Sequence, residues 1–169
     1  MGKWNVQDIA FSGLIAALYA VMTILLAPIS YGVYQIRLSE VLTILPFLFP
    51  QAILGLFAGC LVANIFGGNG LQDIIFGSLF TLVAAYLTYL CSKIKYRKLG
   101  MGLAPLPPVI INAFGVAIYL SQIMGMNYFF VVQMIALGEL VACYVLGLPL
   151  LFFISSKLSR IENRTKNIN

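Results

Sequence analysis

Arg37 and Glu40 stand three residues apart at the head of an apolar run, YQIRLSEVLTILPFLFP, at residues 34–50. On one helical turn their side chains share a face and reach each other. The pair therefore reads either as a self-neutralising salt bridge that fixes the start of a helix or as part of a ligand site. Farther along, Asn64, Gln72, Asp73, Asn112, Gln133 and Glu139 lie inside or at the edges of apolar segments. Glu139 falls about 11 residues, roughly 16 Å, into its segment, where a lone carboxylate costs about 2.5–3.5 kcal/mol. Two readings are open. Asn112, at similar depth, can simply satisfy Glu139 by a hydrogen bond. Alternatively the six residues line a pocket that opens outward, with Arg37 and Glu40 at its mouth and Tyr31 or Tyr34 stacking on a flat ligand. An ionisable residue inside a membrane marks a functional site by default.

Carboxylates and amides in one set suit a ligand with several donors in one plane, such as a guanine-like edge. A carboxylate accepts from adjacent ring N–H and exocyclic NH₂ groups, and an Asn or Gln amide meets the neighbouring carbonyl. Nothing in the sequence equips the chain to transform such a ligand. It has no histidine, no nucleophile paired to a base and no metal-ligand spacing, so binding or transport is expected, with no enzyme activity, cofactor or metal. Cys60, Cys91 and Cys143 are far apart and read as small apolar packing residues. The GGNG stretch at Gly67 to Gly70 lacks the lysine and hydroxyl of a phosphate loop and reads as a tight turn with positive backbone dihedrals.

The elements that must carry these residues follow from composition. Hydrophobic residues make up 62% of the 169-residue chain, charged residues 9%, and the mean hydropathy is +1.00. This predicts an all-α integral membrane protein, a single domain over residues 1–169. Apolar segments are expected at about Gln7–Ala27, Ser39–Phe49, Gln51–Phe66, Leu71–Ser92, Pro105–Gln122 and Tyr128–Ser156. The second is a short helix, capped by Ser39, interrupted by Pro46 and stopped by Pro50. The start, MGKWNVQD, shows no cleavage site after its apolar run, so the first helix is expected to be retained.

Six transmembrane helices place both termini in the cytoplasm. They also put Lys3, the KIKYRKLG loop and the tail, nine of ten Lys and Arg residues, on one side and leave Arg37 alone on the other. An odd count would split the basic loop from the basic tail. The net charge of +5 is thus accounted for by topology, and no nucleic-acid partner is expected. On the first span Gly13, Ala16, Ala17 and Ala20 recur at four-residue spacing, either as internal packing or as a docking face for a partner helix.

Four motifs, IRLSEVLTILPFLFP, ANIFGGNGLQDIIFGSL, APLPPVIINA and LGELVACYVLGLPL, together make the chain resemble the QueT family. Its members are the proposed substrate-binding (S) components of energy-coupling factor (ECF) transporters for queuosine precursors. The resemblance covers nearly the whole chain. It implies a bacterial, multi-pass plasma-membrane protein with a short second helix that captures a 7-deazaguanine ligand from outside. It further implies docking, through an Ala-x-x-x-Ala face matched here by Ala16 and Ala20, on a transmembrane coupling subunit driven by two cytoplasmic ATPase subunits. The alternative is a stand-alone secondary transporter for a small planar heterocycle, coupled to an ion through Asp73 or Glu139; the small size of the chain argues against it.

Overall fold

The computed structural model describes residues 5–31 and 36–166, and among these every regular element is helical. Helix α1 (Val6–Leu25) begins at a capping box in which Asn5 and Asp8 exchange side chain to backbone hydrogen bonds of 2.8 and 3.1 Å. Pro28 follows in the four-residue helix α2 (Ala27–Ser30), where the missing N–H of proline is tolerated in the first turn.

The short second element, α3 (Leu38–Phe47), is a 3₁₀ helix, not the α-helix expected over Ser39–Phe49. At about 2.0 Å per residue the tighter winding stretches ten residues to roughly 20 Å, against about 15 Å for an α-helix. Ser39 does not cap it. Arg37 occupies the cap position, and the Ser39 hydroxyl instead lies 2.6 Å from that of Thr23 on α1.

Helix α4 (Ala52–Gly67) packs along α1 through glycines. A Cβ at Gly55 would lie 2.6 Å from the Ser12 carbonyl oxygen, and one at Gly59 would lie 2.7 Å from that of Ala16. Two backbones in such contact leave no room for a side chain. Gly59→Leu is therefore expected to destabilise the protein by about 1–3 kcal/mol or more through forced separation of α1 and α4. Thermal unfolding in detergent checks this, and an unchanged midpoint would contradict the close approach. Ala20 is buried and Ala16 half-buried on this internal side, whereas Gly13 and Ala17 are exposed. The small residues of the first span thus divide between two faces.

Gly68 (φ 73°) and Gly70 (φ 91°) form the expected left-handed turn. Helix α5 (Asp73–Cys91) follows and opens with a π-type turn over Asp73–Gly77. The basic segment leads to α6 (Arg97–Leu103), where Arg97 donates to the Ser155 hydroxyl at 2.9 Å, and then to α7 (Leu106–Met124). Asn127 caps α8, a continuous helix over residues 128–166 with a π-type stretch at Leu140–Gly147.

Four stretches are long and apolar enough to cross a membrane: Val6–Leu25, Asp73–Cys91, Arg97–Met124 and Tyr128–Thr165. Leu38–Phe47 and Ala52–Gly67 are apolar but shorter. Large apolar side chains such as Leu14, Leu18, Val21, Phe114, Ile118 and Phe153 face outward, as they must where lipid is the solvent. Inside, one core gathers Ile15, Tyr19, Ile44, Leu56, Met101 and Leu151, and a second gathers Ala113, Val116, Leu120, Val131 and Ile135.

Candidate ligand site

Between these cores lies a buried polar cluster. Arg37, at the head of α3, is only 6% exposed and Glu40 only 1%, so neither stands at an outer mouth, and the expected pairing between them is not made. The Arg37 guanidinium reaches across to Asp73, with Nη2 at 3.2 and 3.4 Å from the two carboxylate oxygens. Arg37 and Glu40 turn to different neighbours because Arg37, at the cap, has an extended backbone (φ −88°, ψ 98°) and lies outside the regular 3₁₀ turn in which side chains three apart would eclipse. Glu40 instead accepts from the Tyr19 hydroxyl through Oε1.

Asp73 is saturated. Besides Arg37 it accepts from Tyr119 Oη at 2.6 Å and Asn69 Nδ2 at 3.0 Å, and its backbone carbonyl takes Asn64 Nδ2 at 2.9 Å. The last bond supplies a partner inside the π-type turn, where the regular helical ladder is interrupted. Glu139 directly precedes the second π-type stretch, so both wide turns begin beside a buried carboxylate. Its Oε1 accepts from Asn112 Nδ2 at 2.8 Å and its Oε2 from the Cys143 thiol at 3.4 Å. The hydrogen bond expected between Asn112 and Glu139 is therefore present, and it commits the Asn112 NH₂ that would otherwise meet a ligand carbonyl.

At the centre is a cavity of about 10 Å³ lined by Arg37, Glu40, Gly77, Thr81, Asn112 and Glu139, with Val116 and Ile135 as apolar walls. That volume is on the order of one water molecule. The site is closed rather than open outward. Three buried polar atoms belonging to its lining residues have no hydrogen-bond partner: Arg37 Nε, Glu40 Oε2 and Asn112 Oδ1. Leaving a buried polar atom unsatisfied costs about 1–3 kcal/mol, and a water or a polar ligand group in this cavity would be placed among the residues that carry the three.

Of the sequence candidates, the structure brings Arg37, Glu40, Asn64, Asp73, Asn112 and Glu139 together. It does not bring in Gln72 and Gln133, whose side chains are exposed; Gln72 instead borders a separate apolar cleft of about 270 Å³ with Phe76, Phe80 and Gln122. One turn of helix accounts for this, because neighbours of the inward-facing Asp73 and Val132 must point away. Tyr34 lies outside the described residues. Tyr31 lies with its ring centroid 5.8 Å from the Arg37 guanidinium carbon and its hydroxyl on the Ala63 carbonyl.

The polar partners missed from sequence are Tyr19, Tyr119, Thr81 and two cysteines. Cys60 is more than apolar filler: its sulfur meets Thr81 Oγ1 at 3.3 Å and Asn64 Nδ2 at 3.4 Å. A signal for the tyrosines existed, since a phenol inside an apolar helix must find a hydrogen-bond partner.

A helical protein with an apolar exterior and four stretches long and apolar enough to cross a membrane belongs to the class of multi-pass membrane proteins. Comparison with known proteins narrows this. The family described as QueT transporter matches residues 9–156, and the chain belongs to that family. The queuosine precursor transporter QueT of Lactococcus lactis subsp. cremoris (strain MG1363) is 36% identical over 85 residues. The match covers 49% of this chain and 50% of that relative, and so spans about half the relative's length. No solved structure matches the chain.

Proposed function

We propose that this chain is the substrate-binding subunit of an ECF-type importer and captures a queuosine precursor of the 7-deazaguanine type from outside the cell. The observation that carries this reading is the set of unpaired atoms on the central cavity. Glu40 Oε2 and Asn112 Oδ1 are acceptors and Arg37 Nε is a donor. Their complement is an edge with two donors and one acceptor, as the ring N–H, exocyclic NH₂ and carbonyl of a deazaguanine provide. The similarity to the Lactococcus queuosine precursor transporter supports the same ligand class.

A cavity of about 10 Å³ is far too small for a bicyclic base, so binding requires the helices around it to part. In the plasma membrane, six spans with both termini cytoplasmic put the basic segment and the tail on the inner face. Helix α3 then crosses as a short span shielded by its neighbours. The exposed Gly13 and Ala17 on α1 support a docking face toward a transmembrane coupling subunit driven by two cytoplasmic ATPases, whereas Ala20 is buried and the Ala16 backbone is packed against Gly59 of α4, so the Ala16–Ala20 pair expected to dock serves internal packing.

The test is Glu40→Gln, titrated with 7-deazaguanine by calorimetry in detergent. Substitution removes one charge-assisted acceptor while keeping size, so affinity is expected to fall by about 1.5–3 kcal/mol. Wild-type affinity in the variant would move recognition away from this cavity.

A further inference from the structure

The apolar cleft of about 270 Å³ between α5 and α7 lies outside the polar cavity, and its two ends differ in chemistry. The helices run antiparallel here, since Asp73 at the start of α5 meets Tyr119 near the end of α7, while Phe80, farther along α5, meets the earlier Gly115. Gln72, at the head of α5, and Gln122, near the end of α7, therefore stand at the same end of the cleft, and both side chains are exposed. Phe76 and Ile118 form the walls below them. At the opposite end the buried Gly115 lets the Phe80 ring come against the α7 backbone, where a Cβ would stand 2.8 Å from the ring. From Gln72 to Phe80 the helix rises roughly 12 Å.

Phe76 and Ile118 are 50% and 54% exposed and belong to the apolar exterior, whose solvent is lipid. A groove left unfilled there forfeits dispersion contacts along its walls. An apolar cavity of about 150 Å³ takes up a benzene molecule, so a cleft of this size has room for a run of methylene groups. We infer that the cleft is a binding site for one phospholipid, whose acyl chain lies along Phe76, Ile118 and Phe80 and whose ester carbonyls accept from the amides of Gln72 and Gln122.

The polar end selects this occupant. A wholly apolar molecule offers the two amides nothing, and the backbone carbonyls of a partner helix are already bonded within that helix. An ester carbonyl at the edge of the hydrocarbon is an acceptor to which its own lipid brings no neighbouring donor. Tyr119 lines the same cleft while its hydroxyl holds Asp73 at 2.6 Å, so a seated chain also braces the Arg37–Asp73 pair from the lipid side.

The probe is phosphatidylcholine with a photoactivatable diazirine in one acyl chain, a net-neutral lipid that the basic segments do not recruit. It is added in slight molar excess to the full chain in detergent, irradiated, and the labelled residues are mapped by mass spectrometry. In the wild type, labelling of Phe76, Phe80 and Ile118 is expected to exceed that of the equally lipid-facing Phe153 (59% exposed) by more than about tenfold, or ~1.4 kcal/mol. Gly115→Leu is expected to fill the cleft and abolish labelling there while leaving Phe153 unchanged. Gln72→Ala with Gln122→Ala, at exposed positions, is expected to lower cleft labelling on the order of tenfold, as for two hydrogen bonds.

Equal labelling of the cleft and Phe153 in the wild type overturns the inference, and that comparison stands even where Gly115→Leu does not fold. Cleft labelling that is unchanged by the double glutamine variant overturns the phospholipid assignment in favour of any apolar chain. A benzophenone side chain placed at position 118 that captures a second copy of the chain in place of the lipid overturns it in favour of a protein partner.

Discussion

Asp73→Ala is expected to destabilise the protein by about 3–5 kcal/mol, because it strands the Arg37 guanidinium in a dry interior. The pair is fully enclosed, with the two side chains 6% and 1% exposed. Tyr119 and Asn69 lose their acceptor at the same time, which adds two unpaired donors to the deficit. A buried ion pair as a whole contributes far less than this, since each partner lost its hydration on folding. The double variant Arg37→Met with Asp73→Leu should therefore recover much of the lost stability, while ligand affinity does not return. Thermal unfolding of the two variants in detergent checks both halves. A single-variant loss below about 1 kcal/mol, the range of exposed pairs, would show that water reaches the bridge.

Gly77→Ala carries the second large effect. Gly77 lies on the cavity wall within the π-type turn. A Cβ there would stand 2.7 Å from Asp73 Oδ1, 2.9 Å from Asn64 Nδ2 and 3.0 Å from Tyr119 Oη. One methyl group would thus push on Asp73, which holds Arg37, and on the Asn64 and Tyr119 groups that hold Asp73, and overpacking of this kind costs about 1–3 kcal/mol. Affinity for 7-deazaguanine is expected to drop by more than about tenfold, or ~1.4 kcal/mol, as Nε of Arg37 is re-aimed. Gly102→Ala is the control: a Cβ at that helical position meets nothing within 4 Å, and a helical glycine replaced by alanine gains about 0.5–1 kcal/mol. Equal binding by both variants would mean that Gly77 does not shape the site.

Much of the helical order was legible because apolar runs and their stops are local signals. Pro28, the GGNG turn and Pro105 mark boundaries through backbone chemistry alone, and the helices end within a few residues of them. The inward set Arg37, Glu40, Asn64, Asp73, Asn112 and Glu139 was legible too, since a polar group in an apolar run must be compensated by something. Each of the four motifs that resemble the QueT family contributes to that cluster: Arg37 and Glu40, then Asn64 with Asp73 and Gly77, then Asn112, then Glu139 and Cys143.

Pairing was not legible. Sequence spacing put Arg37 beside Glu40, but the guanidinium spans from α3 to α5, a contact between residues 36 positions apart. The 3₁₀ winding of α3 and the π-type turns at Asp73 and Leu140 shift side chains by a fraction of a turn relative to a regular α-helix. Such departures from 3.6 residues per turn arise from packing against other helices, and a 100° periodicity cannot anticipate them. Tyr19 and Tyr119 escaped for a related reason: their rings pass as apolar, and only the fold shows their hydroxyls on Glu40 and Asp73.

The central claim, that the unpaired acceptors of Glu40 and Asn112 read the donor edge of a deazaguanine, is tested most directly by removing one donor from the ligand. Purified protein is titrated calorimetrically with 7-deazaguanine and with 7-deazahypoxanthine, which lacks only the exocyclic amine. A site that hydrogen-bonds an N–H group rejects the analogue without it by factors on the order of 10⁴, because its own polar groups stay unpaired. One-to-one binding of 7-deazaguanine with a loss of several orders of magnitude for 7-deazahypoxanthine is the expected result; equal affinity for the two would contradict the account.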